Sequence, residues 1–214
     1  MHIPDGFLDA KTWGACWVLG GAALTYGVLK TKETLQEHQI PLMGAVAAFI
    51  FAAQMVNFPI ARGTSGHLLG AVLAATVLGP WATCVTMAIV IALQAFVFLD
   101  GGITTLGANI LNMGVIAPLT GYWTYQAISR LWTTRLGDLA ATFIGSWVSV
   151  ILAAAACAIE LALSGMSPLG AVFPAMVKWH TLIGIGEGAI TTIVVACLSQ
   201  ARQGLACKTN ICEV

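Results

Sequence analysis

From His67 to Leu99 no Asp, Glu, Lys or Arg interrupts the chain, and only Gly79-Pro80 divides the apolar run near its middle. A run of that length constrains the fold more than any other feature. About 20 apolar residues in a helix cross the hydrocarbon core of a bilayer. Inside lipid a backbone must satisfy its own hydrogen bonds, which leaves helices or closed barrels. The alternation of a barrel strand is absent. Hydrophobic residues make up 58% of the 214 and charged residues 8%, outside the range of soluble globular domains. The chain is therefore read as an all-α integral membrane protein, with the lipid bilayer as its first partner.

Interruptions carrying charge, proline or glycine divide the chain into about seven transmembrane helices: 12–29, 40–56, two short helices either side of Gly79-Pro80 within 67–99, then 106–128, 140–163 and 181–201. Residues 1–214 are expected to form one domain, with an N-terminal arm at 1–11, helices over 12–201 and a tail at 202–214. With seven crossings and the N-terminus outside, Lys30, Lys32, Arg130, Arg135, Arg202 and Lys208 fall on the cytoplasmic side, leaving Lys11, Arg62 and Lys178 outside, as the positive-inside rule favours. A single span over 67–99 would flip every later loop. The expected topology is N-terminus outside and C-terminus cytoplasmic, multi-pass in the cell's inner or plasma membrane. It gathers Met1, His2, the 63–67 loop, the Asp100 loop and His180 on the outer side, and leaves His38 solvated on the other. Nine Lys and Arg balance nine Asp and Glu, and no nucleic-acid partner is expected.

The six cysteines show no metal spacing. Cys16, Cys84, Cys157 and Cys197 are scattered through apolar runs as small core hydrophobes, and Cys207 and Cys212 lie in the tail, where disulfides are not expected. The start, MHIPDGFL, has none of the parts of a secretory signal, so the native N-terminus is expected there. A bulky His2 disfavours removal of Met1, leaving a free amine one residue from an imidazole. The amine, the deprotonated His2 amide nitrogen and the His2 ring nitrogen nearer the backbone can then bind one ion in a plane, through fused five- and six-membered rings. Pro4 holds Ile3 extended and has no N–H, so the dipeptide is read as a stiff projecting arm. His67, at the outer end of a span after GTSG, is the candidate for the remaining planar position.

An all-nitrogen plane favours Ni2+ or Cu2+ over tetrahedral zinc and over oxygen-seeking Ca2+ or Mg2+. Nickel is the favoured ion and cobalt the second. Protons compete for these donors: with ordinary values of about 7.7–8.0 for the amine and about 6.5 for histidine, competition is expected to be strong by roughly pH 5. A lone histidine near a membrane surface also serves as a plain structural residue, and His180 with Glu187, seven apart on one helical face, reads equally as an interior pair. An enzyme is the rival class. GTSG has the G-x-S-G form found around intramembrane serine-protease nucleophiles, with Ser65 attacking and His180 as general base. Against it, Ser65 sits at a span's end and not within a helix, and no H-E-x-x-H supports a metalloprotease.

MHIPDGFL at 1–8, GTSGHLLG at 63–70, QAFVFLDGGITTLGANILNMG at 94–114 and HTLIGIGEG at 180–188 together resemble the CbiM/NikM family, the substrate-binding (S) membrane subunits of energy-coupling-factor (ECF) importers for nickel and cobalt. The resemblance implies seven helices, an N-terminus inserted into the protein, and a metal held by the Met1 amine, the His2 main chain and ring, and His67. Asp5, Ser65, Asp100, Asn109, His180 and Glu187 lie in the same motifs and are the candidates to orient those ligands. It also implies a transport subunit without enzymatic activity, partnered by a transmembrane coupling (T) subunit and a pair of cytoplasmic ATPases; no G-x-x-x-x-G-K-[ST] loop is present to cradle ATP. Some nickel systems fuse an outward-facing extension to this subunit; none is seen here, so a separate small accessory membrane subunit is expected. The glycines of 184–188, and Gly66 with Gly70, are read as helix-packing contacts, and Ala153 to Ala156 as a docking face.

Overall fold

The computed structural model describes residues 1–60 and 64–211; the side chains of 38, 58–60, 64–65 and 202–211 lie outside that description. Asp9 sets where the first helix begins, because its carboxylate accepts from the Thr12 N–H at 3.0 Å, and α1 runs Ala10–Thr34. Helix α2, Ile40–Met55, takes Pro41 in its first turn, where the missing N–H costs nothing. A short antiparallel pair follows, β1 Phe58–Ile60 against β2 Thr64–Gly66. The apolar run then divides as expected: α3 is Ala71–Leu78, Gly79 takes φ +81°, and Pro80 opens α4, Pro80–Val97. From Leu106 the chain stays helical to Leu131, as α5 Leu106–Asn109, a π-helical stretch Ile110–Ile116 and α6 Ala117–Leu131. Pro118 has no N–H to return to the preceding turn, and the Ala117 N–H reaches back five residues to Asn112 O, so the helical ladder widens there. Helices α7, Arg135–Leu163, and α8, Leu169–Ile211, complete the chain.

The packing is that of a membrane protein. Gln54, Gln94, Asn112, Ser146, Ser149 and His180 are fully buried, whereas Val18, Leu19, Phe96, Leu131, Leu182 and Ile193 face outward. With lipid as solvent, apolar side chains gain nothing by turning inward, and helices associate through small residues and polar contacts. Helices α6 and α7 meet backbone to backbone: a Cβ on Gly145 would stand 2.8 Å from Gly121 O. Helices α7 and α8 meet where Gly184 lies on Trp147 and Gly188 on Phe143, with an added Cβ at 2.9 and 2.8 Å respectively. The packing role expected for the 184–188 glycines holds at those two positions. Helices α1, α4, α7 and α8 as far as Ala201 are long and apolar enough to cross a bilayer, and α2 is a shorter apolar helix.

Several expectations need correction. Helix α3 has 8 residues, a rise of about 12 Å, so it does not cross about 30 Å of hydrocarbon by itself. Residues 67–70 before it are non-helical, so His67 is not at a helix end. Gly66 closes β2 and Gly70 has φ +73° with its Cα against Ile50, so their four-residue spacing is not a helix contact. Helix α8 starts at Leu169 and not at 181, and it carries Pro174 inside it as its sixth residue, where the missing N–H gives up the bond to Gly170 O. The same helix carries the tail to Ile211; Cys212 lies outside the described residues, as does the side chain of Cys207. Ala153 and Ala154 are buried in the chain's own core and cannot dock a partner. Cys16, Cys84 and Cys157 are buried as expected, but Cys197 is exposed on α8.

The helix directions sort the charges. Helix α1 leaves the N-terminal arm and ends at Lys30 and Lys32; α6 ends at Arg130, α7 begins at Arg135 and returns to Ser164, whose hydroxyl donates to Asp9. These basic residues therefore share the end opposite the arm. Lys11 sits at the arm's end in the first turn of α1, Lys178 lies inside α8, and Arg62 lies outside the described residues.

Candidate metal centre

The N-terminal arm does not project. Met1 is 1% exposed, His2 3% and Ile3 1%. Pro4 and Gly6, the latter at φ +83°, keep the segment out of the first helix. The 102–109 segment then holds it by its main chain: Asn109 accepts from the Ile3 N–H at 2.8 Å and donates to Ile3 O at 3.1 Å, while Gly102 N–H and the Thr105 hydroxyl also donate to Ile3 O. Asp5 locks the next turn by accepting from the N–H groups of Ile103 and Thr104 and from the Thr104 hydroxyl. The Thr104 hydroxyl bond first, with the backbone donors added, holds the Asp5 carboxyl below its ordinary range. A Cβ on Gly102 would collide with Asp5, so only glycine lets the two segments close.

Insertion brings the arm to His67. The His2 and His67 rings stack with centroids 4.8 Å apart and planes inclined by 30°. Their partners bear on where the protons sit. His2 Nε2 lies 3.0 Å from Gln94 Oε1, and with the Gln94 amide in this orientation it carries the hydrogen and leaves Nδ1 bare; His67 Nδ1 lies 2.9 Å from Leu68 O, a main-chain acceptor, leaving Nε2 bare. His180 donates from Nδ1 to Met176 O at 2.8 Å, and its Nε2 is bare as well. All three bare nitrogens are buried without a hydrogen-bond partner. Such orphans are costly unless something else fills them. Nδ1 is also the His2 nitrogen that can close a six-membered ring with its own amide.

The electrostatics suit a cation that displaces protons. Burial lowers the Met1 amine to about 6, against smaller opposing pulls from Cys157 and Asp100. It lowers His2 to about 4, helped by the amine, and His67 well below its usual value. The His67 ring also senses His180, which places His180 in the same neighbourhood. Among the described residues no three His, Cys, Asp and Glu side chains converge closely enough to hold an ion. A set of four donors therefore needs the amine and the His2 main chain.

His180 and Glu187 do not pair with each other. Both Glu187 carboxylate oxygens hold the segment after His67, accepting from Leu69 N–H at 2.8 Å and Gly70 N–H at 2.6 Å, while the Gln54 amide donates to Leu69 O at 3.0 Å. The sequence reading named Glu187 but missed Gln54 and Gln94, whose amides give no motif signal; an uncharged amide inside an apolar span was the only cue. Ser65 lies outside the described side chains. Glu187→Gln is expected to lower metal affinity by about 10–100-fold, the usual effect of loosening a residue that supports a ligand. Calorimetric titration with unchanged helical content checks this.

The family model for the "cobalt uptake substrate-specific transmembrane region" (CbiM) matches residues 2–205. A putative fused nickel transport protein NikMN of Archaeoglobus fulgidus is 43% identical over 94% of this chain, which spans 66% of that relative's length. A putative metal transport protein of Haloquadratum walsbyi is 39% identical over 96% of this chain and 93% of its own. A crystal structure described as a truncated transition metal transporter superposes with a TM-score of 0.89 at 35% identity, covering 94% of this chain and 99% of that one.

Proposed function

The chain belongs to the CbiM family of substrate-specific membrane subunits for cobalt uptake, and from that premise we propose that it captures Ni2+, with Co2+ as the alternative cargo, for an ECF-type importer. As a family member it is a nickel/cobalt transport component of the membrane and not an enzyme. The ion is bound by the Met1 amine, the His2 amide nitrogen, His2 Nδ1 and His67 Nε2. Asp5 and Asn109 hold the arm, and Glu187 holds the His67 segment. Uptake is driven by partners: a T subunit, cytoplasmic ATPases and a small accessory membrane subunit. The chain lies in the plasma or inner membrane with the metal end outside, because the far end carries Lys30, Lys32, Arg130 and Arg135.

One observation carries the site: the His2 tautomer leaves bare the nitrogen that a chelate with its own amide requires, beside a bare nitrogen on the stacked His67. Nothing comparable favours the protease. His180 is oriented by a helix carbonyl and not by a carboxylate, and the family consists of transport subunits. The test is metal analysis of the purified protein with a free N-terminus. One nickel or cobalt per chain supports capture, and a metal-free protein labelled at Ser65 by a serine-directed probe refutes it.

The pH dependence has a definite sign. With the amine at about 6 and His2 at about 4, the amine and ring donors are already proton-free at pH 7, and binding displaces only the His2 amide proton. Affinity is expected to rise about tenfold per pH unit above that range, and about a hundredfold per unit between about 4 and 6, where the amine proton is displaced as well. The loss in acid therefore sets in below the range that ordinary amine values imply. Titrations in a pH series check it, and an affinity flat from pH 6 to 8 excludes an amide ligand.

A further inference from the structure

Helix α4 ends in a way that aims one carboxylate at the metal site. Phe98 N–H and Asp100 N–H both donate to Gln94 O, at 3.1 and 3.0 Å. The second bond closes a turn one residue longer than a Schellman ending, and the chain makes it through a residue in the left-handed region that glycine favours. Here that residue is Leu99, at φ +56°, followed by Gly101 at φ +98°. A Cβ on Gly101 would lie 3.0 Å from Asn109 Nδ2 and 3.5 Å from His2 Cβ, so the turn is pressed onto His2. Gln94 thus sets His2 through its side chain and Asp100 through its carbonyl.

The result is an encounter between two acceptors. Asp100 Oδ1 stands 3.5 Å from His2 Nδ1, which is buried, bare and without a hydrogen-bond partner. The other carboxylate oxygen accepts from the Asn57 amide at 3.2 Å, and the Asp100 side chain remains 18% exposed. Asp100 therefore reaches from the site's mouth to its first ring nitrogen. An ion about 2.0–2.2 Å from both atoms would subtend about 115° between them, an ordinary angle for a partly hydrated cation.

We propose that Asp100 is the entry ligand: its carboxylate takes the hydrated divalent cation at the mouth and passes it to His2 Nδ1, after which the planar nitrogens complete capture. This rests on the nitrogen site proposed above. The contact is sequential, since Asp100 does not converge with His2 and His67 into one three-residue cluster. A fixed negative charge at the mouth of a low-dielectric site raises cation on-rates by about 10–10³-fold.

Stopped-flow mixing of purified protein with Ni2+, and chelator-driven release, separate association from dissociation. Asp100→Asn keeps the shape and an acceptor for Asn57; it is expected to slow association at least about tenfold, with dissociation and final stoichiometry unchanged. Asp100→Glu restores association in part. Asn57→Ala, which leaves the carboxylate in place, associates as the wild type does. An unchanged association rate in Asp100→Asn overturns the proposal, as does a loss expressed wholly in dissociation, which makes Asp100 a counter-charge to the captured ion. Should Asp100→Asn bind no metal at all, the Glu variant decides: slower association with full stoichiometry supports entry, and wild-type association refutes it. Failure of the wild type to bind nickel or cobalt would refute the nitrogen site instead.

Discussion

One residue added ahead of Met1 is expected to abolish tight nickel or cobalt retention as completely as His2→Ala does. The addition turns the amine into an amide and moves the free amine away from the imidazole, so the five-membered chelate ring is lost. Formylation acts in the same way without adding a residue. The structure adds a steric reason: Met1 is 1% exposed and belongs to the hydrophobic core, and Ile3 is fixed at both main-chain atoms. Helical content should hardly change, because α1 starts beyond the arm at the Asp9 cap. Metal content of purified extended, formylated and unmodified proteins checks this, with a tag after Val214 as the control at the other end. An extended protein that still holds one ion tightly would remove Met1 from the ligand set and leave the transport assignment standing.

His2→Ala and His67→Ala are each expected to abolish metal retention, whereas Ser65→Ala loses at most about 10–100-fold. In the proposed site His2 supplies two of the four donors, and His67 closes the plane from a segment that Glu187 and Gln54 hold in place. Each substitution also removes one face of the stacked pair, so the remaining ring loses its neighbour as well as the ion. Equilibrium titration reads the loss. Near-wild-type metal content in His67→Ala contradicts the site as assigned. His180→Ala tests the third bare nitrogen: a loss smaller than that of His67→Ala is expected, since its hydrogen-bond partner Met176 lies on its own helix.

The proposed chelate could be drawn before any coordinates because it uses adjacent residues almost throughout. Two residues can offer three nitrogens, and the ring sizes are fixed by covalent geometry. His67 was singled out through its place after GTSG, and the structure stacks it on His2, but its setting was misread: it lies on non-helical chain beyond a short strand, because residues 67–70 are held by side chains from α2 and α8 and do not join α3. The direction of the arm was misread from the residues alone. Pro4 announces an extended segment, but whether that segment leaves the protein or enters it depends on Asn109, Thr105 and Gly102, about a hundred residues away.

The sequence by itself determined the membrane environment, the helical class, the break at Gly79-Pro80 and the covalent spacing of the first three candidate donors. Each of these rests on local chemistry: apolar run length, a missing N–H, or the spacing of an amine and an imidazole. Only the tertiary structure decided the rest. It set the His67 tautomer, because Leu68 offers a carbonyl oxygen that can only accept, and it placed the Gln94 amide against His2 Nε2. It turned Glu187 from a partner of His180 into a clamp on Leu69 and Gly70. It also withdrew Ala153 and Ala154 from any docking face, since small residues in lipid serve equally to bring a chain's own helices together.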